Sequence, residues 1–196
     1  ILAGLFGFFL IYSPYGSGRP QPVTAQYRLD RIQGEDSLEL ASPAPLGRLY
    51  LQEAGVMTEV DTRARLLRRP LAGIGALAAV AVSELGFLDR KNVNLTVRPW
   101  GDPVRLRLKV SAQEEFVLYD ANFHYQREPD GRQYTLLIGA NPPLQLDVQL
   151  TLPQARRFTL ELELEYRQPP AGFDVSGPGK AVRPRLTYRT RLELET

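Results

Sequence analysis

The chain has 196 residues, enough for one substantial domain or two small ones, and its 43% hydrophobic and 23% charged residues are ordinary for a globular protein. A net charge of +2 is too small to point to nucleic acid, whose binding rests on many phosphate contacts, although 21 of the 24 basic residues are arginine. The absence of cysteine excludes disulfides, thiolate zinc sites and a cysteine nucleophile, and the single histidine, His124, removes most histidine-based catalytic schemes.

Residues 1–12, ILAGLFGFFLIY, are apolar or glycine throughout. As a helix they reach about 18 Å, too short for a hydrocarbon core of about 30 Å. No basic residue precedes them, so they do not read as a secretory signal. The reading that fits best is the end of a transmembrane helix, with Tyr12 and Tyr15 at the interface. A buried strand or helix is the alternative. The missing initiator methionine fits a chain whose N-terminal part has been removed. Residues 13–22 are a Pro/Gly/Ser-rich linker. Residues 23–196 read as a β-sandwich-like soluble domain, with a subdivision near 70–92 as the finer option.

Val23, Ala25, Tyr27 and Leu29 alternate with Thr24, Gln26 and Arg28, the period of a half-buried strand. Gly34-Glu35-Asp36 reads as a turn. Leu38, Leu40, Leu49 and Leu51 follow around a Pro43/Pro45 break. In residues 52–70, VDTRARLLRR reads as a short amphipathic helix, with Asp61 or Thr62 near its N-cap and Pro70 at its end. LAGIGALAAVAV, residues 71–82, reads as a buried strand or a short packed helix. A sharper reading makes it a membrane-surface contact.

From residue 93 onward apolar residues alternate in short runs: 93–97, 104–110, 116–119, 134–138, 144–152, 158–166 and 186–194. Pro, Gly, Asn and Asp clusters separate them. This pattern predicts a mainly β protein, an antiparallel β-sandwich. Glu161, Glu163 and Glu165 share one face of one strand, and Arg185, Arg189 and Arg191 one face of the last. If those strands pair, the charges form a cross-strand ladder.

Chemistry is harder to find. No G-x-S-x-G elbow accompanies His124, which sits between Phe123 and Tyr125 and reads as a partly buried structural residue. Twenty-two acids single out no pair. Trp100 lies in a Pro/Gly loop, where it reads as a plug at one end of the sandwich. Its sharper reading, with Tyr119 and Tyr125, is an aromatic platform for a sugar or peptide. No catalytic, cofactor or metal residue is assigned.

Two stretches carry a family resemblance. In SPYGSGRPQPVTAQYRLDRIQGEDSLEL, Pro20, Pro22, Val23, Tyr27, Leu29 and Asp30 resemble the segment that follows the last membrane helix of membrane-embedded M28 (aminopeptidase-like) zinc peptidases. YTLLIGANPPLQLDVQLTLP and FTLELELEYRQPPAGFD resemble strands of their C-terminal soluble domain. The resemblance implies a non-catalytic extracytoplasmic cap, periplasmic or lumenal, on a membrane peptidase. Its partners would be the membrane, through the N-terminal helix, and the missing peptidase and membrane domains. Zinc would belong to that missing peptidase domain and no cofactor to this chain. The competing reading is a membrane-anchored accessory, adhesion or carbohydrate-binding sandwich with no peptidase.

Overall fold

The structure is a computed structural model that describes residues 15, 18–87, 89–121, 123–153 and 157–195. The apolar stub at residues 1–12 lies outside the described residues. Fifteen strands and no helix make up the described chain: β1 (Gln21–Asp30), β2 (Glu35–Ala41), β3 (Gly47–Glu53), β4 (Val56–Thr62), β5 (Leu66–Pro70), β6 (Ala78–Phe87), β7 (Arg90–Pro99) and β8 (Arg105–Ala112). Then come β9 (Val117–Ala121), β10 (Tyr125–Arg127), β11 (Gln133–Gly139), β12 (Leu146–Pro153), β13 (Arg157–Tyr166), β14 (Phe173–Ser176) and β15 (Lys180–Glu195).

The period-2 patterns become strands because each buries one face. In β13, Phe158, Leu160, Leu162, Leu164 and Tyr166 are buried, and the residues between them are not. β1 does the same with Val23, Ala25, Tyr27 and Leu29. Burying one such leucine is worth about 1.5–3 kcal/mol, so a strand with four or five is strongly held to one face.

Eight strands form one sheet in the order β10-β11-β8-β13-β15-β1-β2-β5. A four-stranded sheet runs β6-β7-β12-β9, and a three-stranded sheet runs β14-β3-β4. The buried faces of all three meet in one apolar cluster. Polar links cross between the layers. The Tyr134 hydroxyl of β11 donates to the Phe116 carbonyl at 2.9 Å, just before β9. Arg69 of β5 faces Glu53 of β3 at 3.7 Å. The mainly β expectation therefore stands, with several antiparallel sheets.

Other expectations are corrected. One pair is parallel: β1 runs alongside β15 from Gln21↔Lys180 to Asp30↔Arg189. The turn before β2 covers residues 31–34, with Gly34 at φ 72°, and Glu35 and Asp36 already belong to β2. The helix predicted at VDTRARLLRR is absent. Val56, Thr58, Val60 and Thr62 alternate in β4, and β-branched residues at period 2 favour a strand over a helical turn. The Thr62 hydroxyl accepts from the Ala64 amide at 3.1 Å, so the expected cap residue closes a turn instead. LAGIGALAAVAV is not a packed helix, and only its last five residues are strand, half-buried rather than buried. Only Leu71 in it is buried; residues 72–77 are a connection, and β6 begins at Ala78 on a sheet edge.

Candidate functional site

Two surfaces stand out: a sheet edge and a charged sheet face. Three sheets leave six edges, and five are blunted in the usual ways. β10 and β14 have three and four residues. β5 carries Arg68 and Arg69, and β4 carries Glu59 and Asp61. β9 has five residues and a register shift opposite Gln149/Leu150. β6 is different. It is ten residues long, and Glu84 is its one charged residue. Among the described residues β7 is the one strand that pairs with it.

The phase of its backbone follows from one bond. The Trp100 amide donates to the Leu77 carbonyl at 2.9 Å. In an antiparallel ladder, bonded and non-bonded positions alternate. Ala78, opposite Pro99, is then a non-bonded position, which suits a proline without an N–H. Ala78, Val80, Val82, Glu84 and Gly86 accordingly turn their N–H and C=O groups to the free edge. Val80 and Val82 pack their side chains on the core, while Ala79, Ala81, Ser83 and Leu85 stand exposed on the outer face. Their alternation is present in the sequence, but an Ala/Val run looks equally apolar on both faces, so the exposed one was not legible.

The outer face of the eight-stranded sheet is a charge ladder. The predicted pairing of β13 with β15 exists: Glu161 lies opposite Arg191 and Glu163 opposite Arg189. Arg191 reaches Glu161 at 2.5 Å, and Arg189 reaches Glu163 at 3.5 Å and Asp30 at 3.2 Å. Arg185 is opposite no glutamate in this register. The sequence reading missed the other side of the ladder, where β8 sets Arg105, Arg107 and Lys109 opposite Glu165, Glu163 and Glu161. RLRLK carries that signal in its polar positions. Exposed pairs of this kind contribute little each, about 0–1 kcal/mol. At the rim, the Arg68 guanidinium bonds Glu39 at 2.7 Å and holds its carboxyl below the usual range.

No protein-family model matches the chain, and no curated protein matches it. Among the solved structures it is similar to are μ-homology domains. The yeast δ-COP-I μ-homology domain complexed with a Dsl1 WxWxV peptide shares 11% identity, with 87% of this chain and 95% of that chain covered and a TM-score of 0.48. The yeast δ-COP-I μ-homology domain alone shares 8%, with 91% and 97% covered and a TM-score of 0.48. The Fcho1 μ-homology domain of Danio rerio with a bound Eps15 peptide shares 9%, with 87% and 95% covered and a TM-score of 0.42.

These findings correct the M28 peptidase resemblance, and with it the peptidase cap, the metallopeptidase and hydrolase assignment and the membrane-anchored alternatives. The physical reason is that alternating leucines between Pro/Gly turns recur in any half-buried antiparallel sheet and carry no family information. The membrane placement and the extracytoplasmic location fall with that resemblance; among the described residues no helix is long and apolar enough to cross a membrane, and the stub at residues 1–12 lies outside them.

The three candidate ligand contacts do not share one strand or one sheet. Trp100 is 55% exposed in the β7–β8 loop, so it is not the plug expected of it. Its amide is held by Leu77 while its ring points to solvent. Tyr119 is exposed on β9, an edge of the four-stranded sheet. Tyr125 is exposed on β10, an edge of the eight-stranded sheet, with its ring 5.6 Å from Tyr134. His124 is exposed beside it rather than partly buried, because β10 is an edge with no strand beyond it.

Proposed function

We propose that the chain is a protein-interaction module: a β-sandwich that takes up an extended segment of a partner protein as an added strand on the free edge of β6. The observation that carries this reading is the ten-residue, nearly uncharged edge whose five alternate positions from Ala78 to Gly86 turn their backbone groups outward. Such an edge offers main-chain donors and acceptors for β-augmentation. The small outer-face residues Ala79 and Ala81 leave room for the side chains of an incoming strand.

The test is selection of 12-residue peptides from a random library on the intact chain, followed by amide hydrogen exchange of the complex. The expected result is added protection at Val80, Val82 and Glu84, with Ala79, Ala81 and Ser83 unchanged because β7 already holds them. Glu84→Pro removes one outward N–H without touching the β7 ladder, and it should weaken binding at least tenfold relative to Glu84→Gln. Peptides that bind Glu84→Pro as well as Glu84→Gln, or that protect other strands, would overturn the reading. So would an edge already protected by a second copy of the chain.

A further inference from the structure

The outer face of the eight-stranded sheet holds a concavity of about 400 Å³ that the β6 edge does not use. Its floor is β8 and β11 and its wall is β10. Arg105 and Arg107 line it two residues apart on one face of β8, about 7 Å along the strand. Thr135 of β11, Gln126 of β10 and His124 just before β10 complete it. Gln126 lies directly opposite Thr135 in the ladder, so both side chains stand on the same face.

The chemistry of this lining is one-sided. Five groups offer N–H or O–H donors, and Glu163 is the single acid. Glu163 is paired with Arg189 at 3.5 Å. Arg105 bonds the exposed Glu165 at 3.3 Å. Arg107 makes no ion pair among the described residues. A guanidinium presents a planar fork that binds an anion through two parallel bonds. Two forks make four bonds, which would fill every lone pair of one carboxylate, whereas a phosphate monoester spreads them over three oxygens and carries close to two negative charges.

We propose that this concavity binds a phosphate monoester carried on a side chain of a partner protein. The surrounding face decides between a protein-borne phosphate and a membrane. Asp30, Glu35, Glu39, Glu161, Glu163 and Glu165 stand on the same side of the sheet. Basic residues share that side, and Arg68, Arg105, Lys109, Arg189 and Arg191 among them are already paired with these carboxylates. A flat anionic bilayer laid on that face would meet a lattice of ion pairs, while a single phosphate in the concavity meets the unpaired Arg107 and one carboxylate. The rim adds Leu137, 50% exposed and opposite Arg107 in the ladder, as apolar surface for the residues flanking a phosphorylated position.

The experiment is an NMR titration of the intact chain with a blocked phosphoserine pentapeptide at low salt. Its unphosphorylated twin, inorganic phosphate and vesicles containing phosphatidylinositol phosphate run in parallel. The expected result is a saturable shift of the Arg105 and Arg107 side-chain N–H signals and the Thr135 amide with the phosphopeptide. Affinity for inorganic phosphate should be at least tenfold weaker, and the unphosphorylated peptide should give no shift. Arg107→Gln and Arg105→Gln, both at exposed positions, should each lower phosphopeptide affinity at least tenfold with an unchanged Tm.

Four results would overturn the proposal: no shift, equal shifts at Arg183 and Arg185 outside the concavity, equal affinity for inorganic phosphate, or Arg107-dependent capture by vesicles in preference to the peptide.

Discussion

Replacing Tyr134 by Phe isolates a single bond between two layers. Tyr134 is 3% exposed, and its hydroxyl donates to the Phe116 carbonyl at 2.9 Å. Its ring packs 4.8 Å from Phe116 and 5.6 Å from Tyr125, with the Arg127 guanidinium 5.9 Å above it. A phenylalanine ring keeps those contacts and deletes only the hydroxyl. The net worth of such a bond is about 1 kcal/mol, and stranding a buried carbonyl raises the cost to about 1–2 kcal/mol. For a protein of this size that lowers Tm by about 2–8 °C. Tyr134→Ala loses the ring as well and should cost about 3–5 kcal/mol. Urea unfolding followed by near-UV circular dichroism measures both. A Tyr134→Phe variant within about 0.3 kcal/mol of wild type would refute the reasoning, because a merely geometric contact has no cost to restore.

Leu162 sits 1% exposed at the centre of β13, opposite Leu108 on β8 and Thr190 on β15. Leu162→Ala should destabilise by about 2–5 kcal/mol in urea unfolding, and a loss under about 1 kcal/mol would mean that the two flanking strands close over the void. At high pH the buried phenols matter. Burial pushes the ionisation of Tyr27 and Tyr166 well above the usual phenol value, with Asp174 and Glu53 adding to the effect at Tyr27 and Tyr188 at Tyr166. The folded chain therefore holds these protons more tightly than the unfolded chain does. The stability they contribute is whole below about pH 10 and falls as pH rises beyond it. In an alkaline titration read by tyrosine absorbance, the last phenols should ionise together with loss of the near-UV signal. Ionisation of every tyrosine with that signal intact would contradict their burial.

The strands themselves were legible because their period has a direct physical cause. A chain that buries one face must place leucine, valine or tyrosine at every second position, and β1, β8, β12 and β13 do so. The sign pattern of the ladder was legible for the same reason, since the residues between the buried ones face water. Period does not say which strand lies next to which. The parallel pairing of Gln21–Asp30 with Lys180–Arg189 joins the two ends of the described chain, and nothing local encodes it.

The same limit applied to both candidate sites. Ala79 and Ala81 are apolar enough to be buried, and they are exposed because they stand on the face of β6 turned away from the core. The helix read into VDTRARLLRR yielded to pairing of β4 with β3 and of β5 with β2, where Arg68 meets Glu39. Arg105, Arg107, His124, Gln126 and Thr135 come from three separate stretches, and the folding of β10 onto β11 and β11 onto β8 brings them to one concavity. The sequence by itself determined the strands and which side chains each turns toward the core. The tertiary structure decided the neighbours, the edges and the concavity, because those depend on contacts between residues far apart in the chain.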